Sequence, residues 1–88
     1  MSDAFRIPDT VLSQELAGDT VLLHLDTGTY FGLDPLGTRV WRLLQSGRRL
    51  PDIRETLLKD YDVAPARLDA DLRALMTQLR KNRLVSDE

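Results

Sequence analysis

The chain has 88 residues, 42% hydrophobic and 30% charged, with a net charge of −2. That is one small globular domain, and its mixed charge argues against nucleic acid as the main partner, because phosphate binding needs a clustered basic surface. The absence of cysteine excludes disulfides and thiolate chemistry. No apolar run reaches the length of a membrane span and MSDAFRIPDT lacks a signal peptide's apolar core, so the cytoplasm is the expected compartment.

Residues 1–9 read as a flexible tail ending at Pro8-Asp9, and residues 10–86 as the domain. Thr10 to Ala17 is a first strand, Gly18-Asp19 a two-residue turn, and Thr20 to Leu25 a second strand rich in Val and Leu. Asp26-Thr27-Gly28 is a tight turn, with glycine free to take positive φ. Thr29, Tyr30, Phe31, Gly32 and Leu33 form a third strand. Turns this short join antiparallel neighbours, so the three strands make a meander with the first and third at its edges. The third carries no charge and no proline, the usual defences of an open edge. An undefended edge is a place where an extended peptide can add itself as a strand.

Asp34-Pro35 starts a helix, Asp as N-cap and Pro at the first helical position. Leu36, Val40, Leu43 and Leu44 recur on one face, Trp41 flanks it, and Gly47 suits the C-terminal end. A second helix runs from Pro51 to Tyr61 with Ile53, Leu57 and Tyr61 on one side. A third opens at Pro65 and ends at Asn82-Arg83, with Val63 placed to staple onto Leu68. Leu84-Val85 reads as a short last strand. The expected fold is α+β and winged helix-turn-helix-like: a three-stranded antiparallel sheet followed by three helices.

Catalytic groups are sparse. His24 is the one histidine, and one histidine cannot build a metal site. Asp69 and Asp71 lie two apart on a helix and point to different sides, so they are no acid/base pair. Gly28, Gly32 and Gly37 form no phosphate loop. The expectation is a chain without catalytic residues, metal or cofactor. On the third helix, about 100° per residue places Leu75, Leu68, Leu79, Leu72 and Met76 in one apolar arc. Asp69, Arg80 and Arg73 follow beside Met76, and Arg67 lies on the opposite flank. Tyr30 and Phe31 point to opposite faces of their strand, and the sequence leaves open which one faces the core.

The run LLHLDTGTYFGLDPLGTRVWRLL, then a P-D-I-x-x-T-L helix and an L-x-x-D-L-x-x-L-M-x-x-L helix, resembles the PqqD-like family. The resemblance runs from about Val11 to Val85 and is most specific at Leu25, Asp26, Thr27, Gly28, Tyr30, Phe31 and Leu33. It implies a recognition element for ribosomally made, post-translationally modified peptides. The precursor's leader would pair with the third strand and lie against the third helix. Thr29, Tyr30, Phe31, Gly32, Leu33, Asp69, Leu72, Arg73, Met76 and Arg80 are the expected peptide-binding residues. Tyr30, Leu72 and Met76 would form the floor, the three charged residues the margin, and Arg67 would be a bystander.

A free-standing member implies an adaptor that brings a precursor to separate enzymes. The favoured reading is the leader-binding half of a split lasso-peptide protease, whose partner would be a peptidase with a cysteine-protease fold. Its leader would carry a Tyr-x-x-Pro element. The alternatives are a PqqD-type peptide chaperone beside a radical-SAM enzyme, a winged-helix DNA-binding domain, and a structural dimer built through the open edge. Asp69 and Asp71 near the start of the third helix would face phosphates badly.

Overall fold

A computed structural model describes residues 4–87. Strand β1 is Phe5–Arg6, β2 Val11–Leu16, β3 Asp19–His24 and β4 Tyr30–Leu33. Helices α1 (Pro35–Gln45), α2 (Leu50–Asp60) and α3 (Pro65–Lys81) follow, then β5, Ser86–Asp87. The main sheet is antiparallel in the order β2-β3-β4. The α+β order of three strands and three helices is therefore as expected.

Each joint has a local cause. Leu16 pairs with Asp19, so the first turn is Ala17-Gly18, one residue earlier than expected. Both residues take positive φ, 52° and 90°, as a type I′ hairpin requires. Asp34 caps α1, accepting from the Gly37 N–H at 2.7 Å, with Pro35 next in line. At the far end of α1, Gly47 and Arg48 N–H groups donate back to Leu44 and Leu43, and Gly47 sits at φ 84°, a Schellman motif. α3 ends in the same motif with Arg83 in the left-handed position at φ 58°. There the N–H of buried Leu84 donates to the carbonyl of buried Leu79.

The core gathers Leu22 and Leu33 from the sheet, Val40, Trp41 and Leu44 from α1, Ile53 and Leu57 from α2, and Leu68, Leu72, Met76 and Leu79 from α3. Buried Thr20 donates to buried Thr38 at 2.8 Å, tying β3 to α1 through a satisfied polar pair. His24 is buried and its Nδ1 accepts from the Asp26 N–H at 3.2 Å, a structural role in the hairpin.

The N-terminal segment departs from the tail expected over residues 1–9, of which 1–3 lie outside the described residues. Phe5–Arg6 pairs antiparallel with Ser86–Asp87. Phe5 is buried, Ile7 is packed against the core, and Arg80 stacks over the Phe5 ring at 4.8 Å. Alternating Phe5 and Ile7 give this stretch one apolar side, and its burial recruits the backbone into pairing. The last strand is correspondingly Ser86–Asp87, with Leu84 and Val85 in the core just before it.

Candidate peptide-binding groove

β4 is an edge. Among the described residues no strand pairs with its outer side. The register opposes Leu33 to Thr20, Gly32 to Val21, Phe31 to Leu22 and Tyr30 to Leu23. His24 N–H donates to the Thr29 carbonyl at 2.9 Å. Bonded and unbonded pairs alternate along an antiparallel ladder, so Phe31 and Leu33 face β3 with their main-chain groups. Those of Tyr30 and Gly32 then point away from the sheet, free to receive another strand.

The side chains follow the same alternation. Phe31 and Leu33 share the face of buried Leu22 and Thr20, while Tyr30 is 70% exposed on the other face. Phe31, half-buried, is thus the residue that turns toward the core, and it lines a groove of about 480 Å³ beside the open edge. β4 contributes Phe31, Gly32 and Leu33 to that groove, and the first turns of α1 contribute Leu36, Gly37 and Val40. α3 contributes Arg67, Asp71, Leu72, Ala74 and Leu75. Gly37 lets α1 start hard against the strand end: a Cβ there would meet Asp34 Oδ1 at 3.2 Å and Leu33 Cβ at 3.3 Å. The groove has an apolar floor under an unpaired edge, with Asp34 and the Arg67–Asp71 pair, 3.6 Å apart, on its rim.

The expected site residues are only partly brought together. Phe31, Gly32, Leu33 and Leu72 line the groove. Tyr30 stands on the edge but on the outer face, so it is no part of the floor. Thr29 precedes the strand, its hydroxyl accepting from Thr27. Met76 is 2% exposed and belongs to the core. Asp69 accepts from the Arg54 guanidinium of α2 at 2.6 Å, and that hydrogen bond holds its carboxyl below the usual carboxylate range. Arg80 covers Phe5 and pairs with Asp87 at 3.2 Å, and Arg73 is exposed on the same flank. The groove therefore lies on the other flank of α3, that of Arg67, Asp71 and Leu75.

A helical wheel cannot make that choice, because both margins of an apolar arc look alike. The α1 residues were accessible to reasoning. Leu33-Asp34-Pro35 joins β4 to α1 without a loop, so Leu36 and Gly37 must sit beside the strand's end. Among the described residues no three metal-ligating side chains converge. No described helix is long and apolar enough to cross a membrane.

Comparison with known proteins gives the geometry its context. One similar solved structure is TbiB1 in complex with the TbiA(beta) leader peptide. It shares 40% sequence identity over 92% of this chain and 94% of that chain, with a TM-score of 0.86. Another is a lasso peptide synthetase B1 complexed with the leader peptide, 28% identical over 93% of this chain and 96% of that one, TM-score 0.76. No curated protein sequence matches the chain. The model of the family described as coenzyme PQQ synthesis protein D (PqqD) matches residues 19–85, most of the chain and all of the groove: this protein belongs to the PqqD family.

Proposed function

We propose that this protein binds the leader peptide of a ribosomally made precursor and presents it to separate maturation enzymes in lasso peptide biosynthesis. The observation that carries the reading is the free edge of β4 lying beside a groove with an apolar floor. A leader strand on that edge would exchange main-chain bonds with Tyr30 and Gly32. Its residues opposite Phe31 and Leu33 would point into the groove. Main-chain pairing supplies affinity with little sequence choice, and the groove supplies selectivity. A leader aromatic or proline ring, such as a Tyr-x-x-Pro element offers, suits a floor of Phe31, Leu36, Leu72 and Leu75.

The family's description alone would equally fit a chaperone beside a radical-SAM enzyme. Both similar structures hold a leader peptide, and one of them is a lasso peptide synthetase B1, which favours the lasso reading. On this reading the chain is a cytoplasmic adaptor, and the chemistry belongs to a partner peptidase.

The test is calorimetry with a synthetic leader. Gly32→Pro removes an outward N–H and spares the bonds to β3, and proline is tolerated on edge strands. We expect a folded variant by circular dichroism with about tenfold weaker binding, roughly 1.4 kcal/mol. Phe31→Pro is the poorer probe, because its N–H faces Leu22 inside the sheet. Unchanged affinity in folded Gly32→Pro would refute strand addition at β4. The purified chain alone should leave the precursor's mass unchanged.

A further inference from the structure

Two carboxylates of α3 stand two residues apart and differ in what holds them. Asp69 accepts from Arg54 Nε at 2.6 Å and from Arg54 Nη2 at 3.3 Å, on the closed flank. Asp71 lines the groove, and Arg67 Nε stands 3.6 Å from its Oδ2, beyond hydrogen-bond reach. Among the described residues no donor reaches the Asp71 carboxylate. An exposed i,i+4 ion pair of this kind is weak, so Arg67 gives way at little cost.

The rim as a whole is acidic. Its charged residues are Asp34, Asp71 and Arg67, two carboxylates against one guanidinium. One Asp34 oxygen accepts the Gly37 N–H at 2.7 Å, and the carboxylate keeps its charge at the groove. A strand laid along β4 would cover both floor and rim. Charges that lose water to such a cover act on each other more strongly than they did in solvent.

We propose that Asp71 selects leaders by charge: it takes a lysine or arginine of the leader in place of Arg67, and it rejects a leader with an acidic residue there. This rests on the leader-binding reading above. Asp71 stands one helical turn, about 6 Å, from Leu75 in the same wall of the groove. Side chains on one face of a strand recur about every 6.8 Å. A ring docked over Leu75 therefore leaves the next groove-side residue of the leader, two positions away, near Asp71. The long stem of a lysine or arginine can lie along the apolar floor while its cation reaches the carboxylate. The displaced Arg67 keeps its own stem in the groove wall, so its truncation removes contact along with a competing charge. Main-chain pairing and the apolar floor accept many sequences, and a charged rim narrows the choice by repelling the wrong sign.

The probes are three synthetic leaders, identical except for Lys, Gln or Glu at both positions two residues from the tyrosine of the Tyr-x-x-Pro element. Calorimetry at about 50 mM salt reads their affinities for wild type, Asp71→Asn and Asp69→Asn, each shown folded by circular dichroism. We expect wild type to hold the Lys leader about tenfold more tightly than the Glu leader, with Gln between them. Asp71→Asn should compress that ratio to about threefold or less, the remainder belonging to Asp34, and hold the Gln leader within about twofold of wild type. Asp69→Asn should keep the full ratio, and salt at about 0.5 M should shrink it in wild type. An equal Lys-to-Glu ratio in wild type and Asp71→Asn overturns the proposal. Equal compression by Asp69→Asn also overturns it, by assigning the preference to net charge. Equal affinity of wild type for all three leaders overturns it as well, and leaves the leader reading standing. Binding of none of them sinks the leader reading, and selection by Asp71 with it.

Discussion

The two flanks of α3 carry the same kinds of residue and have opposite fates. One holds Asp69, Arg73, Met76 and Arg80; the other Arg67, Asp71, Ala74 and Leu75. Apart from exposed Arg73, the first is closed by the chain itself. Arg54 of α2 holds Asp69, the core takes Met76, and Phe5 of the N-terminal strand lies under Arg80. The second faces β4 across a groove, and its Arg67 and Asp71 pair with each other at 3.6 Å. Availability for binding is thus decided by what else the chain packs nearby, not by the composition of a helix face.

The sharpest way to break this comparison is truncation at the two margins of the apolar arc. Met76→Ala should cost about 2–5 kcal/mol of stability in urea unfolding, as buried Met truncations do, and leave leader affinity of the folded fraction intact. Leu75→Ala should show the reverse, a modest stability change with leader binding weakened by about 2 kcal/mol, the scale of an interface hot spot. Equal effects of both substitutions on affinity would mean that the flanks are not functionally distinct.

Arg80→Ala comes next. It removes the cation over Phe5 and the partner of Asp87, so the β1–β5 pair should loosen by about 0.5–1 kcal/mol. Hydrogen exchange of the backbone amides over Phe5–Arg6 and Ser86–Asp87 would report the loosening, with leader affinity unaltered. Smaller still is the charge contrast on the exposed rims. Arg67→Ala should lower leader affinity by less than about 1 kcal/mol, as exposed charge contacts allow, and Arg73→Ala by less than that. A larger loss at Arg73 would place the leader on the closed flank.

The smallest effect is a pH dependence confined to the closed flank. Asp69 has its pKa lowered, first by the Arg54 hydrogen bond and then by Arg54 and Arg73 charge, against some desolvation. A carboxyl depressed in the fold binds its proton more readily when unfolded. Its stabilisation is therefore full above the ordinary carboxylate range and fades as pH falls through the depressed value. Comparing urea midpoints of wild type and Arg54→Ala from neutral pH down to about 3 should show the difference between them shrinking toward acid. A difference that grows toward acid would mean the pair is not formed.

Much of the architecture was legible along the chain because its causes are local. Gly28 and Gly47 take the positive φ that their turn and helix end need, and Asp34-Pro35 caps and starts α1 as the residue types require. The open edge was also legible, since Tyr30 to Leu33 contain neither charge nor proline. The first turn slipped by one residue because Ala17, with no glycine's freedom, still enters positive φ when Leu16 and Asp19 pair. Phe5 and Ile7 carry no strand signal, because two isolated apolar residues make no periodic pattern and the strand that pairs with Phe5–Arg6 lies some 80 residues away.

Which residues are apolar, where the chain turns and which strand ends the meander follow from short-range rules, because backbone geometry and capping act over a few positions. Packing and register set which margin of α3 opens toward β4, that Phe31 turns inward while Tyr30 turns out, and that five exposed apolar side chains share one sheet face. Those outcomes depend on where α2 and the N-terminal strand press against α3 and on strand register. They are long-range contacts that no helical wheel or propensity contains.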